Sequence, residues 1–111
     1  MTITDLMEKE IETKKKLTSE LQGKLDELTE LELNIACEKN KILNDPLIGE
    51  KIEGRVTDKS KDAFVAKSLE KENNKKTWLQ NDISKIKQDI GLCDDTIRLY
   101  KYVIREKELG V

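Results

Sequence analysis

Histidine is absent from this chain. That removes the commonest general acid–base and the commonest metal ligand. Aromatic residues are scarce: Phe64, Trp78, Tyr100 and Tyr102 are all there are. A core of ordinary globular thickness cannot be filled from so short a list. No apolar run approaches the length that crosses a membrane. Residues 1–15 alternate charge and hydrophobe, without the apolar block of a secretory signal. The single proline, Pro46, and five glycines leave few places for the chain to break. The two cysteines, Cys37 and Cys93, lie 56 positions apart, a spacing that fits neither a zinc site nor a redox pair. Both are expected as reduced core residues of a cytoplasmic protein, since free cysteine behaves as a small hydrophobe.

What is present is charge of both signs. Of 111 residues 40% are charged and 36% hydrophobic, and 21 basic residues nearly cancel 23 acidic ones. Disorder requires low hydrophobicity together with high net charge, and a net charge of −2 does not supply it. A thin apolar seam between helices accounts for the composition instead. The same balance ranks nucleic acid below protein as a partner, because dedicated binders carry a basic face. Only Arg55, Arg98 and Arg105 offer the bidentate fork suited to phosphate or guanine. The run Lys14-Lys15-Lys16 is flanked by Glu12 and Glu20 and reads as a solvated helix face.

Thr2 or Thr4 can cap the start of a first helix, and Thr2 with Asp5 three residues later has the pattern of a capping box. A seven-residue ladder then runs Met7, Lys14, Leu21, Leu28, Ile35 and Ile42, interleaved with Ile11, Leu17, Leu25 and Leu31. Alternating steps of three and four are the coiled-coil pattern. Pro46 pushes its predecessor out of helical space, so this helix should cover about 4–44. The connection, about 45–57, should be irregular or a small β-hairpin. Thr57, Asp58 or Ser60 can cap a second helix of about 58–108, with no breaker before Gly110. Its ladder is Leu69, Lys76, Ile83, Ile90, Ile97 and Ile104, with Leu79, Ile86, Cys93 and Tyr100 between. The prediction is an all-α single domain over 1–111: two long helices in an antiparallel coiled-coil hairpin, pivoting near Lys51. Leu28 should then lie opposite Asn74, and Met7 opposite Asp95, to within a few residues.

No Gly-rich phosphate loop, nucleophile elbow or ligand cluster occurs. Acidic pairs such as Glu30 with Glu32, or Asp94 with Asp95, diverge on a helix and have no pocket to dehydrate them. The chain is therefore expected not to be an enzyme, with no catalytic residues, metal ligands or cofactor. More informative is a surplus of hydrophobes off the seam: Trp78, Leu92, Leu99, Tyr102 and Val103. A hairpin buries one stripe per helix, so these should form an association surface, where the second helix overhangs the first. The expected partner is a second copy, as dimer or tetramer, or another protein.

The segment Lys51-Ile52-Glu53-Gly54, the capped polar helix start after it, and the closing run from Ile97 to Arg105 resemble small helical proteins of the early regions of phages and prophages. The resemblance spans about half the chain and rests largely on heptads. It implies a host-cytoplasmic accessory role in replication or recombination. A second likeness, to β-type prefoldin, rests on the Pro46–Thr57 insert and implies a chaperone role. The function read from the sequence is a non-catalytic oligomeric coiled-coil interaction or scaffold protein, with a nucleic-acid accessory protein and a prefoldin-like chaperone as alternatives.

Overall fold

A computed structural model describes residues 1–109, all of them helix, turn or connecting chain, with no strand among them. The elements in order are α1 (Ile3–Leu43), α2 (Ile48–Lys51), α3 (Asp58–Ser68) and α4 (Glu70–Glu108). Gly110, the expected terminator of the second helix, lies outside the described residues. The long helices α1 and α4 pack against each other as a hairpin.

Local chemistry sets the boundaries. Thr2 and Asp5 cap α1 reciprocally: the Asp5 N–H donates to Thr2 Oγ1 at 3.1 Å, and the Thr2 N–H donates to Asp5 Oδ2 at 3.2 Å. At the other end Pro46 halts the helix, and Asp45 organises the turn. Its carboxylate accepts from the Leu47 N–H at 2.9 Å and from Lys51 Nζ at 2.6 Å. The Lys51 ammonium, then the Leu47 amide, hold the Asp45 carboxyl below the usual carboxylate range. Turn bonds from Ile48 N–H to Asp45 C=O and from Glu50 N–H to Leu47 C=O continue this locally. The connection is thus a single helical turn followed by a bend over residues 52–54 and irregular chain, not a β-hairpin. Apolar Leu47 and Ile48 are adjacent, where a strand would need alternation.

The second helix departs from expectation as well. It is divided at Leu69 into α3 and α4. Thr57 caps α3, its hydroxyl accepting from the Ser60 N–H at 3.1 Å while Ser60 Oγ accepts from the Thr57 N–H at 2.7 Å. At its far end Ser68 Oγ donates back to the Phe64 carbonyl at 2.8 Å. Thr77 and Thr96 make the same bond inside unbroken α4, so this bond alone does not end α3. Leu69 takes φ −107° and ψ 18°, and α4 restarts with Glu70 and Glu72 at its positive N-terminus.

The chain forms two compact units. One joins Met1–Leu25 to the chain from Asn81 onward; the other is Asp26–Gln80. In the first, Ile11 and Lys14 lie against Asp94, Ile97 and Arg98, whereas Leu17 and Lys24 lie against Asp82 and Ile86, so the helices run antiparallel. Its buried residues are Ile83, Ile86, Cys93 and Ile97. The second unit contains the chain reversal and buries Ile48, Val65, Leu69 and Leu79. All eight are apolar or cysteine, and no buried side-chain nitrogen or oxygen lacks a partner among the described residues.

The expected seam divides by depth. Ile83, Ile86, Cys93 and Ile97 are buried, while Ile90, Tyr100 and Ile104 are half-buried. On α1 Leu21, Leu28, Ile35 and Ile42 are all half-buried, and no α1 residue is buried. Cys37, expected in the core, is exposed. Two positions beyond Ile35 in the heptad, it points away from α4.

Candidate functional site

Each unit shows an ion pair across the seam. Lys14, the polar break in the first ladder, bonds Asp94 at 2.5 Å, with both side chains about two-fifths exposed. In the other unit Lys76 lies 3.9 Å from Glu32. Both pairs are equidistant from Gly54, whose φ of +86° requires glycine's freedom. The pivot therefore sits three positions after Lys51, the expected one. These pairs also account for the basic runs. Lys14 and Lys76 are each paired with a carboxylate, while Lys15, Lys16 and Lys75 are exposed.

The acidic pairs behave as helix geometry requires. Asp94 turns to Lys14, whereas its neighbour Asp95 lies in solvent 3.7 Å from Arg98. Glu30 and Glu32 are both exposed. Among the described residues no group of three or more His, Cys, Asp or Glu side chains is placed to hold a metal ion. Cys93 is buried on the seam, and that burial, then the adjacent Glu10 carboxylate, pushes its thiol above the ordinary value. A thiol held neutral in this way is a poor nucleophile. A concavity of about 620 Å³ is an open surface groove between the connection and α3, lined by Lys51, Glu53, Phe64 and Lys67 among others. It has no convergent, water-excluded polar set of the kind a reacting substrate needs.

The off-seam hydrophobes are distributed as follows. Leu92 is 65% exposed, Leu99 59% and Tyr102 61%, all on α4 within the first unit. Steps of seven and three place them along one face of the helix. Val103 is half-buried, so it serves the intrachain contact in part. Trp78 is 76% exposed but belongs to the other unit. Leu33, a residue the sequence reading passed over, is 63% exposed there as well. Its signal was available: Leu31 fills the seam, and a leucine two positions on cannot share its face.

The expected overhang of the second helix does not explain this exposure. Continuing the register of Lys14 with Asp94 brings Ile3 level with Arg105, so α1 runs alongside Leu92 and Leu99. These residues are exposed because they lie on the side of α4 that faces away from α1. No helix among the described residues is long and apolar enough to cross a membrane. No protein-family model, curated protein or solved structure matches the chain.

Proposed function

We propose that this chain is a non-catalytic interaction protein that self-associates through the outer face of α4. The single observation behind this reading is the row Leu92, Leu99 and Tyr102, each more than half exposed on one ordered helix. Burying a large aliphatic side chain is worth about 1.5–3 kcal/mol, and exposed apolar rows of this kind mark association surfaces. Twofold symmetry doubles the gain, and lost translational and side-chain freedom offsets much of it. A nucleic-acid role draws less support, since carboxylates already pair with Lys14 and Lys76.

Sedimentation equilibrium tests the reading. The wild type is expected as a dimer or larger assembly at high micromolar concentration. The variant Leu92→Glu/Leu99→Glu should sediment as a monomer while keeping its helix content, because neither side chain lies on the seam. A wild type that sediments at 12.8 kDa under those conditions overturns the proposal.

A further inference from the structure

The outer face of α4 is not uniformly apolar, and its charges carry orientation. Read at steps of three and four, the face runs Lys85, Gln88, Leu92, Asp95, Leu99, Tyr102 and Glu106. All of these lie in one unit and on one continuous helix. The two leucines stand at the middle of the row. A lysine stands seven positions before the first, and a glutamate seven after the second.

A second copy can lie on this face parallel or antiparallel. In the parallel, in-register arrangement each residue meets its own counterpart. Lys85 then faces Lys85, Asp95 faces Asp95 and Glu106 faces Glu106, so every charged position is repulsive. Sliding either arrangement by one heptad sets a leucine against Lys85 or Glu106. One antiparallel register avoids the second fault and every like-charge pair of the face except that of Asp95. With the twofold axis between Asp95 and Thr96, Leu92 meets Leu99 of the second copy, and Lys85 meets Glu106. The two Asp95 carboxylates approach near the axis. Each is accompanied there by Arg98, whose guanidinium already lies 3.7 Å from Asp95 within one chain. Tyr102 falls level with Asp89, next to the neutral Gln88.

The geometry points to an antiparallel pairing of α4 with α4 of a second copy, in which Leu92 meets Leu99 and Lys85 meets Glu106, each reciprocally. This rests on the self-association just proposed and adds its orientation and register. Lys85 is exposed and Glu106 half-buried, and neither is among the buried seam residues. The leucines supply affinity, while the flanking charges select the antiparallel partner over the parallel one.

The test compares homodimer dissociation constants of four chains by sedimentation at low salt: wild type, Lys85→Glu, Glu106→Lys, and the double swap Lys85→Glu/Glu106→Lys. In the antiparallel register each single reversal turns two symmetry-related attractions into repulsions. Each should weaken the dimer by roughly tenfold, within the range of exposed ion pairs. The double swap restores both pairs and should return to within about threefold of wild type, with recovery fading as salt rises. Circular dichroism checks that helix content is unchanged in all four. If the wild type dimerises and loses dimer with Leu92→Glu/Leu99→Glu, yet the double swap is no tighter than the single reversals, the antiparallel register is overturned and the association surface stands. A monomeric wild type removes both.

Discussion

Glycine inside a helix costs about 1 kcal/mol relative to alanine, because it loses more backbone freedom on folding. Gly23 in α1 and Gly91 in α4 are both such positions. A methyl group built on either meets nothing within 4 Å. Gly23→Ala and Gly91→Ala should therefore each raise the unfolding free energy by about 1 kcal/mol in urea titrations. Gly54 is the contrast. Its φ of +86° is a conformation side chains resist, so Gly54→Ala should cost about 1–2 kcal/mol although the space around it is open. Equal effects at all three glycines would contradict the turn assigned to Gly54. The cysteines divide at the same scale. Cys93 was legible as a seam residue because it completes the steps between Ile90 and Ile97. Cys37 was misread because an apolar residue near a ladder is not thereby on it; the face is decided by its position two after Ile35.

At the scale of the element, the 3–4 pattern located the packing face of α4 well. Leu79, Ile83, Ile86, Cys93 and Ile97 are all buried, and they are spaced four, three, seven and four apart. The exception within the row is Ile90, which is half-buried. By the register about Gly54 it meets Thr18, and nearby Lys14 turns its ammonium to Asp94 instead of covering an apolar neighbour. One sequence alone gives each helix its face but not what the other helix brings to it. The break at Leu69 carried no such signal: the Ser68 hydroxyl bonds the Phe64 carbonyl, but Thr77 and Thr96 make the same bond inside unbroken α4. The seam reading predicts a sharp asymmetry in mutational cost. Ile86→Asp strands a carboxylate at a site 6% exposed and should cost several kcal/mol. Asp95→Lys removes only a long exposed ion pair with Arg98 and should stay within about half a kcal/mol for the folded monomer. Thermal melts of the two variants that coincide would refute the seam.

For the whole molecule the limiting quantity is the thinness of the core. Among the described residues eight are buried, and no side chain falls below 2% exposure. Folding must nevertheless offset about 1–2 kcal/mol of backbone entropy for every residue ordered, and small chains without disulfides or metals often meet this by associating. The cysteines are both free. The outer face of α4 is then a contributor to stability as well as an address for a partner. A partner that binds only the folded state stabilises it by mass action, so the melting temperature should rise with protein concentration. Followed by circular dichroism, with 87% of the described residues helical, the wild-type melting temperature is expected to climb by several degrees between low and high micromolar concentration. In Leu92→Glu/Leu99→Glu the melt should be lower and independent of concentration, because the exposed row no longer pairs while the seam of Ile83, Ile86, Cys93 and Ile97 is untouched. Wild-type melts that superimpose across that range would mean that the thin seam sustains the fold alone, and that the leucines on the outer face contribute nothing to it.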